Sequence, residues 1–271
     1  MSHAIPPQRA LSANDDAARS VPSQRALSAT GYAAGTAHVT WHDLECGAYR
    51  ADLALWLSLA RAQGGPVLDL GAGTGRVALA LAAAGVQVVA LDRDPVLLEI
   101  LRERAGGLPI RTVTSDARDF SLEERFALVL APMQTVQLLG GKAGRAAFLR
   151  CAARHLTPGG LLAAAIADEL EAFPPHAALP EPDVLERDGW TWISQPTAVR
   201  IEGERVVIER MRERIAPDGQ RDLVADQVGL DRLAVAGLTA EGERVGLRPL
   251  PARRIYPTEE HVGSAVAMLR A

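Results

Sequence analysis

The chain has 271 residues, 48% hydrophobic and 23% charged, a balance that suits one large α/β domain with an appendage and excludes a disordered protein. A formal net charge of −4 argues against nucleic acid as the main partner, and two cysteines, Cys46 and Cys151, are too few for a disulfide framework. No apolar run reaches the roughly 18 residues of a membrane span and no charged-then-apolar leader opens the chain, so a cytoplasmic protein without membrane partners is expected.

In chain order, the motif QRALSA occurs twice, at Gln8–Ala13 and Gln24–Ala29, within a Ser-, Ala- and Pro-rich stretch that reads as a flexible tail. From Trp41 to Ala62, Leu44, Tyr49, Leu53 and Leu57 recur at helical spacing, with Gly47 as an interruption and Gly64-Gly65-Pro66 as the stop. Trp41 and Tyr49 either pack or face a ligand; His42 is either a solvated histidine at a helix start or a proton acceptor. Val67–Leu70 is a short buried strand, Gly71-Ala72-Gly73-Thr74-Gly75 a turn, and Arg76–Ala84 a helix. Glycines at alternate positions let a ligand lie against bare main chain near the positive end of that helix. A dinucleotide fingerprint needs glycine where Arg76 stands, and the chain has no Tyr-x-x-x-Lys pair, so an NAD-dependent oxidoreductase is disfavoured.

Val86–Leu91 is the second strand, and it ends on Asp92, whose two oxygens can accept from both hydroxyls of a ribose. Asp94 and Pro95 start a helix that runs through Val96–Arg104. Ile110–Thr114 and Phe126–Ala131 are the next strands; Asp116 and Ala117 follow the first, and Pro132-Met133-Gln134-Thr135 follows the second. Gln134 and Thr135 can orient an acceptor, while Gln137 caps or lines the next helix. Arg145–Leu156 is helical, Pro158-Gly159-Gly160 turns, and Leu161–Ala167 is a fifth strand ending on Asp168 and Glu169, at the strand end that faces a ligand crevice. Past a proline-rich passage, 190–202, 205–216 and 221–233 alternate as a three-stranded meander, with a helix over 238–246 and strands over 248–256 and 262–270.

The run D-x-G-x-G-x-G at Asp69–Gly75, Asp92 at the second strand's tip and the Thr157-Pro158-Gly159-Gly160 block together resemble class I S-adenosylmethionine-dependent methyltransferases. The order of parts is similar to the glycine, sarcosine and aminosugar N-methyltransferases. The resemblance implies an α/β, Rossmann-like sheet of seven strands with a small antiparallel β insert and an N-terminal helical cap. The expected divisions are a tail (1–36), a cap (37–65), a cofactor-binding core (66–185), the insert (186–234) and closing elements (235–271). It also implies S-adenosyl-L-methionine as cofactor: Asp69, Gly71, Gly73 and Gly75 toward its methionine part, Asp92 toward the ribose, Asp116 and Ala117 toward the adenine. Ala72, Arg93, Met133 and the cap's Tyr49 are added as neighbours of the same ligand, and no metal is expected. The expected activity is in-line methyl transfer to N, O or electron-rich C of a small molecule in specialised metabolism, with His42, Gln134, Asp168 and Glu169 as acceptor-site candidates. The alternatives are a protein or RNA acceptor, or cofactor binding without methyl transfer. DNA is not an expected acceptor, because the fourth strand lacks the N/D-P-P-Y/F tetrapeptide. The insert either packs on the core, forms a homodimer interface or floors the pocket.

Overall fold

The computed structural model describes residues 31–168, 170, 172–173, 179–258 and 261–271. The doubled QRALSA motif and Glu169 lie outside these residues. Helix α1 (Gly31–His42) runs directly into a single π-helical turn (Asp43–Gly47), and α2 (Leu53–Gln63) follows after a break. The helix starts well before Trp41, where apolar spacing first becomes visible, because its opening turns are mostly Gly, Ala and Thr around a single Tyr32. Helix α2 buries Trp56, Leu59 and Ala60 and ends on Gly64, whose φ of 59° and N–H to the Ala60 carbonyl (3.0 Å) close it in the usual glycine manner.

Seven strands form the main sheet: β1 (Val67–Leu70), β2 (Val88–Asp92), β3 (Ile110–Thr114), β4 (Phe126–Ala131), β5 (Leu156–Ile166), β10 (Arg248–Ile255) and β11 (Ser264–Arg270). Their order is β10-β11-β5-β4-β1-β2-β3, with β1 to β5 parallel and β11 antiparallel to both neighbours. Helices α3 (Arg76–Ala83), α4 (Pro95–Ala105) and α5 (Gly141–His155) make the crossovers, and α6 (Val235–Glu243) leads into β10. The chain winds outward from β1 through β2 to β3 and then restarts on the other side of β1 with β4. A crevice therefore opens at the carboxyl ends of β1 and β4.

Side chains alternate across β1. Val67 packs in the layer of α2, α3 and α4, whereas Leu68 and Leu70 pack with Phe148 and Leu238 in the layer of α5 and α6. Each fully buried leucine of this kind contributes about 2–3 kcal/mol. The same alternation turns Asp69 toward the α2–α3 layer.

Two local features differ from the sequence reading. The Pro-Gly-Gly turn is absorbed into β5, which begins at Leu156; the extra residues form a bulge opposite β4, with Gly159 at φ 75°. The segment after β4 is a short 3-10 turn (Thr135–Leu138) ahead of α5.

A second, antiparallel sheet has the order β6-β7-β8-β9, with β6 (Asp183–Arg187), β7 (Trp190–Glu202), β8 (Arg205–Ile215) and β9 (Arg221–Asp231). The meander thus has a fourth strand, β6, too short to show alternation in the sequence. The π turn bolts this sheet to the core. Glu45 accepts from Ser194 Oγ (2.9 Å), Arg212 Nε (2.7 Å) and Arg210 Nη1 (2.8 Å), while Asp43 takes Arg187 of β6, Arg104 of α4 and Thr74 of the glycine turn. Trp41 stands edge-on to Trp192 at 4.9 Å in the same seam.

Candidate active site

The glycine turn folds as it does because three neighbours press on it. Gly71 (φ 74°) and Gly73 (φ 53°) hold left-handed conformations that cost a side-chain-bearing residue about 1–2 kcal/mol. A Cβ on Gly71 would stand 2.8 Å from Thr135 Oγ1, and one on Gly73 would stand 2.5 Å from the His42 ring. Gly75 leaves room for Leu101 of α4 in the same way. The bare backbone is therefore held between the cap, the loop after β4 and α4.

Around this turn lies a cavity of about 350 Å³, within the range of small-molecule sites. Of the residues singled out in the sequence, His42, Asp69, Gly71, Ala72, Asp92, Arg93, Asp116, Ala117, Met133 and Gln134 line it together.

Asp69 is 1% exposed, and neither carboxylate oxygen makes a hydrogen bond of normal geometry among the described residues. Burial raises its pKa to about 7 against the opposing pull of Arg76. An unpaired buried acid is costly unless something cationic meets it. Asp92 is the opposite case: Gly73 N–H donates to Oδ2 (2.8 Å) and Asp94 N–H to Oδ1 (2.9 Å), which fixes the carboxylate and leaves one lone pair on each oxygen for a ligand. Asp116 is gripped by Arg118, which donates its backbone N–H (2.8 Å) and Nε (2.9 Å) to Oδ1 and Nη2 (2.6 Å) to Oδ2, and this holds the carboxyl below its ordinary pKa. A single acceptor position on Oδ2 is left for a ring amine.

The loop after β4 carries strain. Met133 has φ 54°, an uncommon conformation for a side-chain-bearing residue, and the Thr135 hydroxyl is spent on the Pro132 carbonyl at 2.8 Å. Gln137, which the sequence left between cap and lining, is buried and joins two sheets: its amide donates to the carbonyls of Ala167 (3.2 Å) and Asp231 (3.0 Å) and its oxygen accepts from Ala167 N–H (2.8 Å).

Tyr49, Gly73, Gly75 and Asp168 do not line the cavity. The Tyr49 ring packs under Arg76 (5.2 Å) and beside His261 (4.9 Å), so it is a floor for the helix start rather than a wall of the cavity. Gly73 acts through its N–H on Asp92, and Gly75 through packing. Asp168 is drawn sideways to Arg254 of β10 at 3.3 Å.

The structure adds residues that the sequence did not single out for this site. Arg76 lines the cavity while clamped by Asp52 (2.5 and 2.7 Å), a carboxylate that also accepts from Trp56 Nε1 at 2.7 Å. Nothing in the spacing of Asp52 and Arg76 announces this pair. Cys46 lines the cavity with its thiol pushed up to about 11 by burial, so it remains neutral. His38 reaches the cavity edge and meets Asp94 at 2.7 Å.

Residues 67–160 match the sequence profile of a family described as a methyltransferase domain. A curated relative, the cypemycin N-terminal methyltransferase of a Streptomyces species, is 39% identical over 111 residues, which is 41% of this chain and 45% of the relative. The match thus spans less than half of that protein. Among solved structures, the CcbJ methyltransferase from Streptomyces caelestis superposes with a TM-score of 0.62 at 23% identity, covering 83% of this chain and 97% of that one. An amino pentose methyltransferase from Micromonospora echinaspora, involved in calicheamicin biosynthesis and solved with S-adenosylmethionine bound, gives a TM-score of 0.62 at 23% identity over 91% of this chain and 99% of that one. At such identities the likeness to the two structures is one of fold.

Proposed function

Because this chain carries a methyltransferase domain of the class I, S-adenosylmethionine-dependent kind, we propose that it methylates an amine on a small molecule of specialised metabolism. The observation that carries the reading is Asp69: a buried carboxylate with both oxygens unpaired, in a cavity of about 350 Å³, beside a carboxylate that the backbone presents with lone pairs to spare. That donor and acceptor set fits S-adenosylmethionine. Asp69 and the glycine turn would hold its amino-acid end, Asp92 the ribose hydroxyls, and Asp116 with the Ala117 backbone the adenine. When bound, the cofactor supplies an electrophilic methyl group on a sulfonium.

The protein's own part is alignment and exclusion of water, which for well-oriented reactants is worth about 7–11 kcal/mol. The cap closes one side of the cavity with His42 and Cys46, and the strained Met133 and Gln134 close another. Support for an amine acceptor comes from the relatives: one is named for methylation of an N terminus, a fold neighbour for methylation of an amino pentose. The net charge of −4 supports a small acceptor over a nucleic acid. Among the described residues no helix is long and apolar enough to cross a membrane, and the free thiols of Cys46 and Cys151 support a cytoplasmic location.

The test is calorimetric titration with S-adenosylmethionine and, separately, NADH, repeated on Asp92→Ala, followed by mass spectrometry of aminosugars and short peptides incubated with protein and cofactor. Micromolar binding of S-adenosylmethionine alone, lost in the variant, and a methyl-mass gain on an amine are expected. Binding of NADH, or of neither ligand, would sink the reading.

A further inference from the structure

Within the cavity wall, His42 carries an imidazole, which can hold a proton on one nitrogen and offer a lone pair on the other. His42 lies with its Nε2–Cε1 edge against the Gly73 backbone, and Nε2 has no hydrogen-bond partner among the described residues. Its other nitrogen, Nδ1, stands 3.5 Å from Thr74 Oγ1. That hydroxyl has a single proton, and Asp43 Oδ1 takes it at 2.8 Å. Arg104, Arg187 and Thr74 all donate to Asp43, and although burial works against the charge, these bonds hold its carboxyl down at about 2. Asp43 is therefore an acceptor only, and Thr74 has only lone pairs left to show His42. The ring must then carry its proton on Nδ1.

We propose that His42, in the cavity wall, is the proton acceptor of the methyl transfer, held by Asp43 through Thr74 as the tautomer whose Nε2 is unprotonated; this deepens the amine-methylation reading and rests on it. As the acceptor nitrogen's lone pair forms the new N–C bond, the C–S bond breaks and leaves its electron pair on sulfur as a thioether. The proton released from nitrogen goes to Nε2. Asp69, the unpaired carboxylate in the same wall, is taken by the cationic amino-acid end of the cofactor in the proposed reading. The Cys46 thiol is neutral, His38 is engaged with Asp94, and Asp92 and Asp116 are tied to backbone and arginine donors. The histidine behind α5, His155, has both nitrogens committed, accepting from Leu122 N–H (2.9 Å) and donating to the Cys151 carbonyl (2.7 Å).

The charged and titratable groups around His42 are Asp43 and Glu45 on the π turn, His38 on α1 and Asp92 on β2. Burial is the largest influence on the ring and keeps it below its ordinary pKa, with Asp43 and Asp92 pulling the other way. It is thus neutral and ready at pH 7.

The first test reads the ligand-free full chain by long-range proton–nitrogen correlation with labelled histidine, His42→Gln identifying the signals. An Nδ1-protonated pattern that Thr74→Val shifts toward Nε2–H, and that Thr74→Ser keeps, is expected. An Nε2–H pattern in the wild type, or one indifferent to Thr74→Val, overturns the assignment. The second test uses whichever amine the mass-spectrometric screen returns. His42→Gln should lower kcat about 100-fold, the usual scale of general-base loss, and remove the acidic limb of its pH profile with little change in KM for the cofactor. Thr74→Val should lower kcat about tenfold, restored by Thr74→Ser. A kcat within about twofold of wild type in His42→Gln overturns the catalytic role. An empty screen would fail the methylation reading while the tautomer still stands or falls on its spectrum.

Discussion

The two walls of the cavity are held by different means. On the core side, the turn after β1 and the tip of β2 are fixed by main-chain N–H donors: Gly71 and Ala72 to the Leu91 carbonyl (2.8 and 3.1 Å) and Gly73 to the Asp92 carboxylate (2.8 Å). On the cap side, long side chains do the holding, with Asp43 and Glu45 gripped by Arg104, Arg187, Arg210 and Arg212. A backbone-held wall is rigid and specified by local residues. A side-chain-held wall depends on partners far away along the chain, such as Glu45 and Arg212, 167 positions apart.

The largest effect should come from breaking the buried side-chain clamp at the start of α3. Asp52→Asn leaves Arg76 buried without its charge partner and should cost about 3–5 kcal/mol in urea unfolding. A loss below about 1 kcal/mol would mean that the rim is not anchored there. Gly73→Ala comes next: the left-handed φ costs about 1–2 kcal/mol and the new methyl displaces His42, so cofactor affinity should fall at least tenfold by calorimetry.

The third test uses pH. The folded chain holds the Asp69 proton up to about pH 7, whereas the unfolded chain releases it near 3.8. Between those values the folded state binds more protons, so the Asp69 contribution to stability grows as pH falls from 7 toward 3.8 and is flat above 7. A cationic ligand needs the ionised form, so its affinity should drop about tenfold from pH 8 to pH 6. Opposite trends of this contribution and of affinity over that interval, seen by thermal melts of wild type against Asp69→Asn and by calorimetry, sharpen the case for Asp69; parallel trends would break it.

The smallest effect belongs to the cap wall. Glu45→Gln keeps the shape and removes one charge shared by two arginines, and should cost about 1–2 kcal/mol with no change in cofactor affinity larger than threefold.

This division also explains what could be read in the sequence. The strands, the turn at Asp69–Gly75 and the acid at Asp92 were legible because backbone geometry demands particular residues at fixed spacing. Gly73 had to be glycine, and the tip of β2 had to carry a short acceptor. The seven-stranded sheet was expected from the family resemblance, and its strand order came from the structure. The cap wall was not legible, since any arginine can meet any carboxylate and only the folded chain says which do. Asp52–Arg76 and Asp116–Arg118 were missed for that reason, and so was the sideways displacement of Asp168 by Arg254. Tyr49 was placed beside the ligand because it lies in the cap segment ahead of β1; the ring instead packs under Arg76 and does not line the cavity. Strand β6 escaped because five residues, one of them Asp and one Glu, show no period of two.

The π turn Asp43–Gly47 has a consequence for engineering acceptor choice. Its two acids are read by arginines on β6 and β8 and, at the same time, by Thr74 beside the glycines. A chimera that grafts β6–β9 from another enzyme without residues 31–52 would strand Glu45 and take Arg187 from Asp43. Grafting the two segments together keeps the pairs intact, so cap and insert are exchangeable as a unit and not as separate parts.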